Sequence, residues 1–206
     1  MPTDRQWKMV DANGKTTEAK ISKHFSITAP PKTDIWRPSP TEDHFNAPMM
    51  YTSIKSSEFV KASVTISADW KTLYDQGGVV IYWPNATQNQ SKWVKTGIEH
   101  FGGKPALSVV GNDRFSDWSL TPMPMAGATH ATIEVQRIDQ TLWVYFIFNG
   151  EKRALREIKW AFLENREADA EMWIGTYAAK PTPESDSDLK TGIEVIFRDW
   201  SLETTD

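Results

Sequence analysis

The sequence predicts an all-β fold, an antiparallel sandwich with little helix, and three observations predict it. From Tyr51 onward, apolar and polar residues alternate in short runs, the period of a strand with one buried face. Gly, Pro, Asn and Asp punctuate those runs, as tight connections between antiparallel strands require. The chain has 206 residues, enough for one sandwich domain over residues 1–206 with a substantial core.

Strands are expected at about 58–68, 77–83, 93–101, 106–112, 131–138, 141–149, 171–178 and 192–200. Gly102-Gly103 and Asp139-Gln140 are the tightest turn candidates. Residues 1–24 are polar and read as a loosely ordered start or an edge strand. Pro30, Pro31, Pro38, Pro40 and Pro48 make residues 25–50 an extended, irregular strap. Residues 151–166 are ambiguous: Leu155, Ile158 and Phe162 have helical spacing, so a short helix competes with a bent strand.

Alternation divides each strand into a core side and another side. Val94 and Ile98, Ile133 and Val135, Leu142, Val144, Phe146 and Phe148, and Met172 and Ile174 are assigned to the core. The other side of strand 93–101 carries Trp93, Lys95, Gly97, Glu99 and Phe101. A two-residue hairpin at Gly102-Gly103 pairs Glu99 with Ala106, Gly97 with Ser108 and Trp93 with Asn112. Aromatic rings beside charged groups suit a sugar, whose C–H face stacks on a ring while its hydroxyls bond to the charges. The same pattern is also what a packed second face gives, with Lys95 and Glu99 as a structural ion pair under the strap.

Composition excludes several functions. The net charge is −4 and the basic residues are scattered, which argues against a nucleic-acid partner. With no Cys there is no disulfide, thiolate nucleophile or Cys-ligated zinc. His24, His44, His100 and His130 are isolated, so no transition-metal site is expected, and no cofactor. An oxygen-ligand calcium site stays open. No apolar run follows the first charges and none approaches membrane-spanning length, so a cytoplasmic protein without a membrane partner is expected. Asn85-Ala86-Thr87 is then read as a polar turn rather than a glycosylation site.

Ordered motifs add a resemblance. Pro31-Lys32-Thr33-Asp34-Ile35-Trp36, Asn46-Ala47-Pro48, Asp75-Gln76-Gly77-Gly78-Val79-Val80, Trp93-Val94-Lys95-Thr96-Gly97-Ile98-Glu99 and Ser116-Asp117-Trp118-Ser119 are similar to the DUF1349 family. Leu155-Arg156-Glu157-Ile158, Trp173-Ile174-Gly175 and Phe197-Arg198-Asp199-Trp200 fit as well, so the resemblance spans about residues 25–204. It implies a concanavalin A-like jelly roll. Members often carry the label "regulation of enolase", which implies a link to a metabolic-enzyme partner but no particular chemistry.

Glu167-Ala168-Asp169-Ala170-Glu171 matches a glycosidase carboxylate pattern on paper. Its alanines and the preceding Glu164-Asn165-Arg166 read instead as a solvated acidic turn. Glu99 and Asp117 are the better carboxylates, with Lys95 expected to lower the pKa of Glu99. Asp117 sits in a segment that reads as a loop, where Asp and Ser could simply build the turn. The candidate ligand-binding set is Trp93, Lys95, Glu99 and Asp117, with Gln76 and Arg156. The expected function is a non-catalytic binding or regulatory protein with a groove for a sugar, another small polar ligand or a metabolic enzyme. The alternatives are a hydrolase or lyase using Glu99, Asp117 and Lys95, and a scaffold contacting an enzyme such as enolase.

Overall fold

The computed structural model describes residues 5–87, 90–163 and 170–205. Its strands are, in order, β1 (Trp7–Val10), β2 (Thr16–Ala19), β3 (His24–Ala29), β4 (Ile35–Ser39), β5 (Glu42–Phe45), β6 (Met49–Lys55), β7 (Phe59–Ala68) and β8 (Gln76–Thr87). There follow β9 (Gln90–Phe101), β10 (Lys104–Asn112), β11 (Ser116–Pro122), β12 (His130–Ile138), β13 (Thr141–Phe148), β14 (Glu151–Ile158), β15 (Glu171–Ala179) and β16 (Ile193–Thr204). Helix among the described residues is confined to one 3-10 turn, Ser56–Glu58. No described helix is long and apolar enough to cross a membrane.

An eight-stranded sheet, β11-β10-β9-β8-β15-β6-β1-β2, packs on a six-stranded sheet, β14-β13-β12-β7-β16-β3. Neighbouring strands within both sheets are antiparallel. The main core lies between them, and Val94, Ile98, Val144, Phe146 and Ile174 are all in it. The face assignments for these strands therefore hold. So does the hairpin: Gly102 and Gly103 have φ of 61° and 78°, and Glu99 pairs with Ala106, Gly97 with Ser108 and Trp93 with Asn112. Two successive positive-φ residues twist a turn the way a strand pair twists, which is why glycine serves there.

Two segments read in two ways resolve, and three local expectations change. Residues 7–19 form β1 and β2 at the edge of the larger sheet, so of the two readings of the start the edge strand holds over these residues. The strap is more regular than its prolines suggest: β4 and β5 form a hairpin of their own, with the last residues of the strap starting β6. Residues 151–158 are strand, so the bent-strand alternative holds over the helix. A β-bulge explains the misleading spacing: Arg156 pairs with Val144 and Ala154 with Tyr145, so Leu155 is an extra residue. Lastly, Asn85-Ala86-Thr87 is the end of β8 and Ser116-Asp117-Trp118-Ser119 begins β11; neither is a loop. The acidic stretch from Glu164 to Asp169 lies outside the described residues.

The hairpin has one position that matters for function. It covers the outer face of the eight-stranded sheet, where Ile35, Met49, Tyr51, Val80, Trp93 and Tyr177 form a second apolar cluster. The aromatic outer face is thus partly a packed interior. What the hairpin leaves uncovered is the candidate site.

Candidate functional site

The site is built by register. Across β8 and β9, Gln76 pairs with Glu99, Gly78 with Gly97, Val80 with Lys95 and Tyr82 with Trp93. These residues share the outer face, because side chains alternate with period two. The Gly78–Gly97 pair is dictated by close backbone approach. A Cβ on Gly78 would stand 1.9 Å from the Thr96 carbonyl oxygen, and one on Gly97 2.0 Å from that of Gly77. Tyr177 on β15 pairs with Gly78 and spans from Gln76 (hydroxyl to Oε1, 3.2 Å) toward Lys95 (ammonium to ring centroid, 5.9 Å). Its ring therefore lies across the two glycines.

Above this row a cavity of about 320 Å³ opens. Its charged and amide groups are Asp34, Gln76, Lys95 and Glu99, with Thr182 at its wall, and its aromatic walls are Trp36, Tyr74 and Trp118. Lys95 donates to Asp34 Oδ1 at 2.9 Å and to Gln76 Oε1 at 2.7 Å. Glu99 Oε2 accepts from Ser108 Oγ at 2.7 Å and from Trp118 Nε1 at 3.1 Å. Asp34 is held in turn by the backbone N–H of Ile35, at 2.7 Å to Oδ1. Lys95 and Glu99 are buried as residues (2 % and 5 % exposed) yet line an accessible cavity. Pairing and hydrogen bonds are what make such burial tolerable.

The electrostatics correct one expectation. Burial pushes the Glu99 carboxyl above the usual glutamate range. Lys95 and the Ser108 hydrogen bond pull it down, as anticipated for Lys95, but desolvation is the larger effect, and Asp34 adds to it. Burial, with Glu99 and Asp34 nearby, likewise keeps Tyr177 a neutral phenol well beyond its ordinary range. A carboxyl with a raised pKa binds its proton more tightly folded than unfolded. Its contribution to stability is complete below the ordinary glutamate pKa and is lost as pH rises through the raised folded value. The Glu99→Gln variant is therefore expected to be at least as stable as the native protein at pH 7, with a flatter decline across that window. Gln keeps an oxygen acceptor for Ser108 and Trp118. Thermal unfolding as a function of pH checks this, and a large loss at pH 7 would show that the Lys95 attraction outweighs burial.

Of the sequence-predicted residues, Gln76, Lys95 and Glu99 line the cavity. Trp93 does not: it is 0 % exposed and belongs to the packed cluster beneath the hairpin. Asp117 and Arg156 lie elsewhere. On β11, Trp118 pairs with Val110 and so shares the face of Lys95, which sends Asp117 to the opposite side. The Asp117 side chain is 86 % exposed, and Arg156 donates to its backbone oxygen at 2.9 Å. They border a different depression with Asp113, Phe115 and Trp160. Reading the segment as a loop hid this one-residue distinction. Asp34 and Trp36 were also missed as site residues. Their motif was visible, but nothing local told which sheet face the strap would cross. Among the described residues, no group of three or more His, Cys, Asp or Glu is arranged to hold a metal ion.

Comparison with known proteins agrees with the fold. A functionally unknown protein from Saccharomyces cerevisiae superposes with a TM-score of 0.71 at 22 % identity, covering 91 % of both chains. The alginate lyase of Klebsiella pneumoniae superposes at 0.56 with 12 % identity, covering 97 % of this chain and 95 % of its own. The GH43 protein BlXynB of Bacillus licheniformis gives 0.59 with 14 % identity, covering 86 % of this chain but only 32 % of that one. At these identities the likeness concerns the sandwich alone. An uncharacterized protein of Emericella nidulans is 46 % identical over 187 residues, 90 % of this chain and 89 % of that one. The sequence profile of DUF1349, a family of unknown function, matches residues 12–205, and with the jelly-roll architecture and this relative it follows that the chain belongs to the DUF1349 family.

Proposed function

We propose that this protein binds a small polyhydroxylated ligand, a sugar ring, in the cavity between β9, β11 and the β4–β5 hairpin. One observation carries the reading: Trp36 and Trp118 flank a bonded Asp34–Lys95–Gln76 set and Glu99 in one accessible space. A sugar needs both halves, a ring edge or face for its C–H groups and oriented donors and acceptors for its hydroxyls. The volume, about 320 Å³, is at the small end of ligand pockets and suits one ring or two. The network is assembled before any ligand arrives, which lowers the ordering cost of binding.

The test is titration calorimetry with a panel of neutral, acidic and amino monosaccharides and their dimers. The Trp118→Ala variant is expected to bind about tenfold more weakly, since it loses an aromatic contact and a donor to Glu99. Binding of no panel member, or binding indifferent to Trp118→Ala, would sink the proposal.

Catalysis is a second reading, favoured by one observation: the raised carboxyl of Glu99 faces the same cavity as Asp34. A carboxyl group that holds its proton more tightly, facing a second carboxyl group, is how acid and base roles can separate. Product formation in those same samples, abolished by Glu99→Gln, would place this reading first. Asp117 has no part in it.

A further inference from the structure

The charges facing the cavity do not balance, and the imbalance points to a ligand class. The carboxyl groups are Asp34 and Glu99; the ammonium group is Lys95. Lys95 is committed to Asp34, with its second hydrogen bond to neutral Gln76. Glu99 meets only neutral donors, Ser108 and Trp118, and both reach the same oxygen, Oε2. Among the described residues no hydrogen bond reaches Glu99 Oε1 or Asp34 Oδ2. The other titratable groups facing Glu99 are phenols, Tyr177 from β15 and Tyr74 at the cavity wall. Lys95 reaches Glu99 only through space, so a buried carboxyl group with no bonded cation leaves a place for a ligand to supply one.

The aromatic walls add an independent observation. The Trp36 ring stands at 82° to that of Trp118, with centroids 6.4 Å apart. The Tyr74 ring stands at 70° to Trp118, at 6.2 Å. Three aromatic rings line the same volume as the two carboxyl groups, and an aromatic wall beside a carboxylate is a setting that receives an organic cation.

We propose that the ligand carries a protonated amine on its hydroxylated ring: an amino sugar, with the ammonium group between Glu99 and the Trp36–Tyr74–Trp118 walls. This rests on the sugar-binding reading above and deepens it. Hydroxyls of the ring meet the Asp34–Lys95–Gln76 set. The ammonium supplies beside Glu99 a bonded cation, where Lys95, bonded to Asp34 and Gln76, acts only through space.

Calorimetry with glucosamine, N-acetylglucosamine and glucose, and with the dimer of each, tests this. The three rings share a skeleton and differ in whether position 2 carries a cation, a neutral amide or a hydroxyl. Expected is a preference of about tenfold or more for the free amine over both neutral sugars. The preference should shrink with added salt, as an ion pair open to solvent does. In Glu99→Gln the ratio of amine to neutral affinity should collapse toward one. Asp117→Asn, altering an exposed carboxylate outside the cavity, should leave the ratio unchanged. Equal or tighter binding of the neutral sugars overturns the amine inference and leaves the sugar-binding reading standing. Preference for the amine that survives Glu99→Gln overturns the role given to Glu99. Binding of no sugar in either series overturns both.

Discussion

Replacing Asp75 by alanine is expected to cost about 3–5 kcal/mol, the penalty for leaving one partner of a buried ion pair alone. Asp75 and Lys180 face each other at 3.1 Å, and each side chain is 1 % exposed. The Asp75 carboxylate also accepts the backbone N–H groups of Lys71 and Thr72, at 3.1 Å and 2.8 Å. Lys180 is tied to Thr72 Oγ1 at 2.8 Å, and its backbone N–H to Thr33 Oγ1 at 3.0 Å. The pair therefore joins the turn before β8, the end of β15 and the start of the strap. Glu184, 3.8 Å from the Lys180 ammonium, is an acid that could take over, which sets the lower end of the range. Changing Lys180 to Met in the same chain should restore much of the loss, because an apolar pair carries no stranded charge. Denaturant unfolding of the two variants decides it. A loss below about 1 kcal/mol in Asp75→Ala would show that Lys180 escapes to solvent. Tyr74 and Gln76 flank Asp75 and face the cavity, so the single variant should also weaken ligand binding.

Truncating Phe146 to alanine is expected to cost about 3–5 kcal/mol, the range for deleting a buried aromatic ring. Phe146 is 8 % exposed and packs in the main core, paired across the sheet with Ile133. Part of the loss is transfer of the ring and part is the cavity left in a sheet interface that cannot close around it. Domains of this kind have a total stability of about 5–15 kcal/mol, so the variant should unfold at much lower denaturant with an unchanged slope. A midpoint within error of the native protein would mean that the flank of β13 near Arg153 absorbs the change.

The outer face divides along the sheet into a packed half and a half that lines the cavity. Toward Trp93 the face is closed by the β4–β5 hairpin and is interior. Toward Glu99 it is open and polar. Arg37 illustrates how the closed half is held. Its guanidinium donates to Ser91 and pairs with Asp43 at 2.7 Å, pinning the hairpin by specific bonds as well as by apolar contact.

Alternation and turn chemistry determined the sandwich, the core side of each strand and the pairing of β9 with β10. Those are local properties: period two follows from strand geometry, and Gly102-Gly103 sets register by its own backbone. They also put Lys95 and Glu99 on one face, away from Val94 and Ile98. Only the tertiary structure decided which neighbours that face would have. Asp34 reaches Lys95 across 61 positions of chain, and nothing in the strap's own sequence states that it crosses this sheet. Trp118 rather than Asp117 enters the cavity because β11 is paired one residue out from where a loop reading left it. The pKa of Glu99 turned on the same kind of fact. Its neighbour Lys95 was visible in the sequence. The burial that outweighs Lys95 is a property of everything packed around the pair, and it exists only once the sheets and the hairpin have closed.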